Sequence, residues 1–302
     1  MRSINITSLN NTELLYVPTV LDYFELMKPR VMSLVVFTTI VGMYLAPINI
    51  HPVLCIFSIL AIALGAGSAG AINQWIDQDI DSIMARTKTR PIPSGRVDPA
   101  EAITFSFVVA LISIIMLGLA SNWMAASLLL FTIFFYTVVY SVFLKRRTPQ
   151  NIVIGGAAGA FPPIIGWVAM TESINLLPII LFIIIFLWTP PHFWSLALVK
   201  TEDYKKANIP MMPNVVGESS TKNQILFYSF LLLISSLSPF ILGLTGYIYF
   251  FGSFTMSLGF CFLSIGLIIF PNRKLEIPLF VYSIFYLFGI FVFLVIDKYF
   301  VV

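Results

Sequence analysis

Long apolar runs alternate with short polar segments along almost the whole chain. Nine of these runs approach or exceed the ~20 residues that a helix needs to cross a bilayer. They lie at about 28–47, 52–75, 101–120, 122–144, 151–170, 174–199, 223–246, 250–271 and 278–297. The third and fourth runs meet at Ser121 and Asn122, so this division has the weakest signal. The pattern predicts an all-α fold, a polytopic bundle of about nine transmembrane helices.

Composition agrees with a membrane protein. Hydrophobic residues make up 59% of the 302 positions and charged residues 10%, whereas a soluble domain carries about 25% charged residues. The net charge of +3 is therefore not a nucleic-acid signal. Cys55 and Cys261 both lie in apolar segments and indicate neither a disulfide framework nor a zinc site. The simplest division is an N-terminal segment, 1–27, followed by one membrane domain, 28–302.

The distribution of basic residues predicts the orientation. Cations cluster at Lys28 and Arg30; at Arg86, Lys88, Arg90 and Arg96; at Lys145, Arg146 and Arg147; at Lys200, Lys205, Lys206 and Lys222; and at Arg273 and Lys274. Every second loop is thus basic, and only Lys298 falls on the other side. The positive-inside rule places the N-terminus in the cytoplasm and the C-terminus outside. No signal or transit peptide is evident, which favours a bacterial inner membrane. Two cytoplasmic loops, about 76–100 and 200–222, are unusually long and polar.

An acidic motif lies where the second apolar run ends. Asn73, Asp77 and Asp81 follow one another at intervals of four residues, so a helix would present them on one face. Carboxylates at a helix C-terminus oppose the helix dipole unless a cation offsets them. Mg²⁺ binds one or two carboxylates and leaves its other positions to water and phosphates. Arg86 and Arg90 follow and are suited to a polyphosphate. The alternative is an ordinary hydrated turn.

Small residues and paired prolines interrupt several apolar runs. The strips at 65–70 and 155–160 are typical of close helix packing. The pairs at 162–163 and 190–191 predict a kinked or opened helix. His192 follows the second pair, between Trp188 and Trp194, and is the only histidine within a predicted span. It is either a hydrogen-bonded core residue or a ligand or acid/base group.

Several of these segments resemble a known family. Asn73-x-x-x-Asp77-x-x-x-Asp81 resembles the first acidic motif of the UbiA-type intramembrane prenyltransferases. Longer blocks resemble their heme-modifying branch, the protoheme IX farnesyltransferases or heme O synthases. These blocks lie at 28–31, 90–95, 144–167, 188–194, 203–204 and 210–213. The resemblance runs from about residue 22 to 217, and the last three helices match only in hydropathy.

The resemblance implies a reaction. Farnesyl diphosphate loses diphosphate, its allylic carbon joins the 2-vinyl group of heme b, and water completes the hydroxyethylfarnesyl group of heme o. Heme b and farnesyl diphosphate are then the substrates. The protein is embedded in the lipid bilayer, and it is not expected to bind nucleic acid. Heme o serves terminal oxidases directly or as the precursor of heme a. Association with heme A synthase or with terminal oxidase assembly is a further expectation.

The resemblance also implies residue roles. Asp77, Asp81 and Asn73 hold Mg²⁺, while Arg86, Arg90 and Lys145 or Arg146 bind the diphosphate. His192 contacts heme, with Trp188 and Trp194 beside it. Tyr136, Tyr140, Trp188 and Phe193 offer π-faces to an allylic cation, although ordinary packing accounts for each of them equally well. Asp203 is expected in the catalytic set; Ala207 stands where the wider superfamily has a second carboxylate, so a full second metal site is not expected.

Three alternatives remain open at this point. A prenyltransferase of the same fold acting on 4-hydroxybenzoate or a similar acceptor shares the first acidic motif. A transporter or channel for a divalent cation would use the acidic residues but needs a charged path to the outside. A non-catalytic heme chaperone would need His192 but neither Asp77 nor Asp81.

Overall fold

Helices account for the regular structure of this computed structural model, which describes residues 17–48, 50–270 and 273–301. They are α1 (Val20–Leu26), α2 (Pro29–Leu45), α3 (Pro52–Ile76), α4 (Gln78–Ile83), α5 (Pro99–Ala120), α6 (Trp123–Phe134), α7 (Asn151–Ala160), α8 (Pro162–Thr171), α9 (Leu176–Val199), α10 (Thr201–Lys206), α11 (Met212–Val216), α12 (Glu218–Ile241), α13 (Tyr247–Ile269) and α14 (Glu276–Val301). A π-helical segment, Phe135–Leu144, continues α6. Residues 1–16 of the expected N-terminal segment lie outside the described residues.

The predicted membrane architecture is confirmed. Among the described residues, eight helices, or end-to-end helix pairs such as α7 with α8, are long and apolar enough to cross a bilayer. Helices α1 and α2 together form a ninth candidate, bent by 62°. The seventh predicted span is displaced, because α12 begins at Glu218 rather than at 223. Its polar first turn is helical too, and Lys222 there pairs with Glu276 of α14 at 3.1 Å.

Two apolar cores hold the helices together. One core joins α3, α5, α6 and α8 around Ile62, Leu117 and Ile165. The larger core joins α2, α8, α9, α12, α13 and α14 around Ile184 and Phe291. Since α8 contributes to both cores, it links the two halves of the bundle.

The two proline pairs behave differently. Helix α7 ends at Ala160 and α8 begins at Pro162, so the first predicted break is present. Helix α9 continues through Pro190 and Pro191, so the predicted opening there is wrong. Both prolines are buried, and α9 packs against α7, α12 and α14. Neighbouring helices can support a span across missing backbone hydrogen bonds.

Two charged residues of α14 cap other helices at the end of the bundle away from the acidic motif. The Asp297 carboxylate accepts from the amides of Gly246 at 2.5 Å and Tyr249 at 3.0 Å, where α13 starts. The Lys298 amine donates to the carbonyls of Tyr44 at 2.7 Å and Ala46 at 3.0 Å, where α2 ends. These bonds satisfy backbone groups that helix ends leave free. They tie the start of α13 and the end of α2 to α14 at this end of the bundle.

The two long polar loops lie together at the opposite end. Ile80 and Met84 of the first loop pack with Ile209 and Met211 of the second in one buried cluster. Helix α1 is fastened to the first loop, since Arg96 donates to Asp22 at 2.5 Å and to Glu25 at 2.8 Å. The fold therefore brings residues far apart in the chain to one end of the bundle.

Candidate active site

The acidic motif is buried at the junction of α3 and α4. Asn73, Asp77 and Asp81 are 3%, 0% and 2% exposed. The Asn73 amide nitrogen donates to Asp77 Oδ2 at 2.9 Å, so Asn73 and Asp77 share one face as predicted. Burial on this scale contradicts the alternative of a hydrated turn, because ionised carboxylates are costly to remove from water without partners.

Each polar side chain of the motif meets a cation. The Lys145 amine donates to Asp77 Oδ2, and Arg90 Nη1 lies 2.5 Å from Asp81 Oδ2. The Lys28 amine donates to Asn73 Oδ1. These three cations come from three separate parts of the chain. The structure therefore converges positive charge on the acidic motif, as binding of a polyphosphate requires.

Lys28 also belongs to the site, although the spacing of the acidic motif gave no indication of it. It lies in the bend between α1 and α2 with a left-handed backbone, φ +55°. A Cβ on Gly67 would lie 3.0 Å from Met27, and one on Gly70 would lie 3.3 Å from the Met27 carbonyl and 3.5 Å from Lys28 Cδ. The small-residue strip of α3 therefore accommodates this bend. The Lys28 amine then reaches Asn73, which lies about one helical turn after Gly70 on α3.

The π-helical segment brings two further groups to the motif. The Lys145 amide donates to the Tyr140 carbonyl at 2.9 Å, and the Ser141 hydroxyl donates to the Tyr136 carbonyl at 2.8 Å, both five residues back. Ser141 Oγ also accepts from the Asn73 amide at 2.8 Å. The wider turn thus aims Ser141 and Lys145 at α3. Such π-helical turns are frequent at functional sites.

Lys145 and Arg146, adjacent in sequence, have different partners. Arg146 makes a two-pronged contact with Asp79 at 2.7 and 2.8 Å, on the exposed side of α4. This hydrogen bonding lowers the pKa of the Asp79 carboxyl, so the pair stays ionised. Of the two basic residues proposed from sequence, the structure brings Lys145 to the acidic motif and pairs Arg146 with an exposed carboxylate.

The second loop adds α10 to the rim of the site. Asp203 is half-buried there, next to Tyr204. Burial raises the pKa of the Tyr204 hydroxyl, while a hydrogen bond with the Arg86 guanidinium opposes the rise. Arg86 therefore faces α10, and also lies within electrostatic range of Tyr140. Its position is between the two loops.

The donor set fits a hard divalent cation. Asp77 Oδ1 is buried and has no hydrogen-bond partner among the described residues. Asp81 and Asn73 supply two more oxygens on the same face. No group of three or more His, Cys, Asp or Glu side chains suited to a metal occurs in the described part of the chain. Two carboxylates and an amide form an incomplete set of protein ligands. Such a set suits Mg²⁺, which keeps other positions for water and phosphate, better than it suits a metal held only by protein ligands.

Aromatic rings lie beside the acidic motif. Tyr136 and Tyr140 stack with ring centres 5.4 Å apart, and Tyr136 lies within electrostatic range of Asp77 and Asp81. Gly155 of α7 leaves room for this pair, because a Cβ there would lie 2.2 Å from the Tyr140 ring. The predicted π-faces at these two positions therefore border the site.

His192 belongs to a second polar cluster, between α9 and α14. Its ring is stacked between Trp188, 4.3 Å away, and Phe280, 4.8 Å away. His192 Nδ1 lies 2.6 Å from Ser283 Oγ, and the Trp188 indole donates to the Ser283 carbonyl at 2.7 Å. Phe280 and Ser283 lie in a helix where the sequence offered only an apolar signal, so nothing in the sequence pointed to them.

The aromatic residues after His192 diverge. Trp194 is 0% exposed and packs edge-on against Tyr228 in the larger core, away from the His192 cluster. Phe193 is 38% exposed and contacts the His192 ring edge-on at 5.1 Å. Trp188 and Phe193 therefore border His192 directly, whereas Trp194 is part of the packed core.

Comparison with known proteins gives the family. The sequence model of the UbiA prenyltransferase family matches residues 35–292. The chain belongs to this family. A protoheme IX farnesyltransferase of Rhizobium leguminosarum bv. trifolii is 54% identical over 92% of this chain and 89% of its own length. Protoheme IX farnesyltransferase 2 of Mesorhizobium japonicum is 53% identical over 89% of this chain and 87% of its own length. The protoheme IX farnesyltransferase of Bartonella henselae is 51% identical over 93% of this chain and 91% of its own length.

Solved structures confirm the UbiA fold. A structure described as digeranylgeranylglyceryl phosphate synthase matches with a TM-score of 0.77 and 19% identity, covering 92% of this chain and 98% of that one. A UbiA homolog from Archaeoglobus fulgidus bound to DMAPP and Mg²⁺ matches with a TM-score of 0.66 and 16% identity, covering 90% and 99%. Both the predicted family resemblance and the predicted fold are thereby confirmed.

Proposed function

We propose that this UbiA-family chain transfers the farnesyl group of farnesyl diphosphate to heme b, producing heme o and diphosphate. One observation supports the proposal most directly. The buried Asp77, with a carboxylate oxygen that has no hydrogen-bond partner among the described residues, lies among converging cations in a chain 54% identical to a protoheme IX farnesyltransferase. A prenyl diphosphate and its metal ion are complementary to this arrangement.

The reaction breaks the allylic carbon–oxygen bond, the π bond of the 2-vinyl group and one O–H bond of water, and it forms one carbon–carbon and one carbon–oxygen bond. The allylic carbon–oxygen bond of farnesyl diphosphate breaks, and its electron pair leaves with diphosphate. The allylic carbon is joined by the terminal carbon of the 2-vinyl group of heme b. Water adds to the remaining vinyl carbon and gives up a proton, which leaves a hydroxyethylfarnesyl group.

The acidic motif and its cations act on the leaving group. Asp77, Asp81 and Asn73 would hold Mg²⁺, which supplies a positive charge against the diphosphate as its bond breaks. Lys28, Arg90 and Lys145 already point at these residues and would meet the phosphate oxygens when substrate binds. Arg86 would approach from the first loop, where it faces Tyr204 of the second loop. We assign Arg146 a structural pairing with Asp79 and no direct contact with substrate.

Aromatic faces beside the leaving group stabilise the allylic cation. Tyr136 and Tyr140 stack next to Asp77, and their rings offer negative π-faces to positive charge. A site among membrane helices also excludes water, which would otherwise capture the cation before the vinyl group does.

The His192 cluster is our candidate for contact with heme. Trp188 and Phe193 border the His192 ring and would flank a flat porphyrin. Trp194 would support them from the core and not touch heme. Asp203, half-buried on α10, is our candidate for the water or metal network; near-normal activity of Asp203→Asn would count against that role.

The basic loops support a proposal about location. By the positive-inside rule, the cations of the site and those of the two long loops favour a cytoplasmic position for this end of the bundle in a bacterial inner membrane, with the C-terminus outside. We treat 28–302 as one catalytic membrane domain. Its product would pass to a heme-modifying enzyme or a terminal oxidase; association with heme A synthase stays a prediction.

Membranes containing this chain provide the test. They are incubated with hemin kept reduced, farnesyl diphosphate and Mg²⁺, and the extracted hemes are read by mass spectrometry. We expect a heme bearing a hydroxyethylfarnesyl group, which disappears with EDTA and returns with added Mg²⁺. Prenylation of an added aromatic acid in place of heme would move the chain to the other acceptor class. Heme binding without any transfer would support a chaperone instead.

A further inference from the structure

Ser283 makes two hydrogen bonds of definite direction through its side chain. It is fully buried on α14. Its hydroxyl oxygen lies 2.5 Å from the Phe280 carbonyl oxygen and 2.6 Å from His192 Nδ1. A hydroxyl has one hydrogen, and a carbonyl oxygen can only accept. At 2.5 Å that hydrogen must lie between the two oxygens, because two acceptors without a hydrogen would repel.

The direction of the first bond fixes the second. Since the Ser283 hydrogen points to the Phe280 carbonyl, Ser283 Oγ must accept from His192. The proton of the neutral imidazole then lies on Nδ1, and Nε2 carries the lone pair. Among the described residues, none makes a hydrogen bond to Nε2.

Stacking leaves only the ring edge available. Trp188 and Phe280 cover the two faces of the imidazole at interplanar angles of 18° and 24°. Phe193 meets the ring edge-on at 5.1 Å, so a ligand can approach the half-buried His192 only along the rest of the ring edge. Metal-binding histidines in proteins commonly donate their other N–H to a nearby acceptor, which fixes the tautomer and the ring orientation.

We propose that Ser283 is a positioning residue that holds His192 as the Nδ1–H tautomer and presents the Nε2 lone pair to the heme substrate. This inference rests on the proposed function for the identity of the ligand. The tautomer itself rests only on the bonds between α9 and α14. Ser283 does not touch substrate; it acts through His192.

The chain contains its own reference histidine. It has only two histidines. His51 Nδ1 accepts from the Val53 amide at 3.3 Å, so its proton belongs on Nε2. The two rings are therefore expected as opposite tautomers in one protein, and His51→Gln identifies which signal is which.

The test uses full-length protein labelled with ¹⁵N-histidine in nanodiscs, studied by NMR without heme at a pH where both rings are neutral. We expect His192 to show a protonated Nδ1 and an unprotonated Nε2, with the reverse for His51. Ser283→Ala should remove the Nδ1–H signature of His192, and Ser283→Thr should restore it. A protonated Nε2 in the unchanged protein, or an unchanged tautomer in Ser283→Ala, would overturn the proposal.

Two controls separate tautomer from folding. Ser264→Ala removes another fully buried serine, which bonds to Ser229 and the Phe260 carbonyl away from His192; it should leave both histidine spectra unchanged. Trp188→Phe removes the indole bond to the Ser283 carbonyl and keeps the hydroxyl, so the tautomer should persist. A tautomer change in either control would contradict the assigned role of Ser283.

Adding reduced heme tests the ligand. We expect the unprotonated Nε2 signal of His192 to shift or broaden while that of His51 Nδ1 stays in place. No change at His192 would overturn the heme-facing part of the proposal and leave the tautomer result standing. If the unchanged protein forms no heme o but His192 keeps its Nδ1–H signature, the result would count against the proposed function alone.

Discussion

Asp77 and Asp79 are close neighbours in the chain with opposite surroundings. Asp77 is fully buried, and one of its carboxylate oxygens lacks a hydrogen-bond partner in the described part of the chain, whereas the Asp79 side chain is 60% exposed and paired with Arg146. We expect Asp77→Asn to lower the rate of heme o formation at least ~100-fold, the order lost when a group stabilising transition-state charge is removed. Asp79→Asn, the matched control, should stay close to the unchanged rate. Equal losses in the two variants would contradict the site as assigned.

Lys28 gives a second residue-scale prediction. Its amine contacts Asn73, while Arg30 is exposed. Lys28→Met should raise the KM for farnesyl diphosphate several-fold, because a cation facing the phosphates is lost, and Arg30→Met should not. Lys28→Gly removes the same amine but suits the left-handed backbone at φ +55°. We therefore expect the glycine variant to lose affinity without losing thermal stability in detergent; an unchanged KM would remove Lys28 from the site.

At the scale of elements, contact between α7 and the π-helical segment depends on Gly155. A methyl group there would overlap the Tyr140 ring at 2.2 Å, while one on Gly159 meets nothing within 4 Å. Overpacking of this kind costs about 1–3 kcal/mol. We expect Gly155→Ala to lower both the melting temperature and the rate of farnesyl transfer, and Gly159→Ala to change neither. Full stability and activity of Gly155→Ala would contradict this, because it would show that the Tyr140 ring can move aside without cost.

The π-helical segment also explains why neighbouring cations have different partners. The sequence predicts a spanning helix at about 122–144, and this prediction gives no preference between Lys145 and Arg146 for the acidic motif. The wider turn sets Ser141 and Lys145 against Asn73 and Asp77. Apolar periodicity carries no signal for such a turn, since Phe135–Leu144 is apolar along almost its whole length.

At the scale of the whole molecule, the site lies at one end of the bundle and the Asp297 and Lys298 caps at the other. The orientation can be tested with fusions of alkaline phosphatase, which folds only where disulfides form. A fusion after Val302 should be active, and one in the loop after Lys205 should be inactive. Green fluorescent protein at the same points should give the reverse pattern. Active alkaline phosphatase fused within the 200–222 loop would mean that the candidate active site lies outside the cytoplasm.

The sequence by itself determined the membrane architecture, because hydrocarbon excludes charge and every span must be apolar for about 20 residues. It also located the acidic motif, since the spacing of Asn73, Asp77 and Asp81 is a local property of a short stretch of chain. The family followed from long blocks of residues, and the comparisons confirmed it.

Only the tertiary structure decided the partners of those residues. Lys28, Lys145 and Ser141 reach the motif through a left-handed bend, a π-helical turn and the packing of α3, none of which spacing reveals. Ser283 meets His192 from a helix at the far end of the chain, and packing keeps α9 continuous through Pro190 and Pro191. These outcomes depend on which surfaces pack together, and packing is a property of the whole chain.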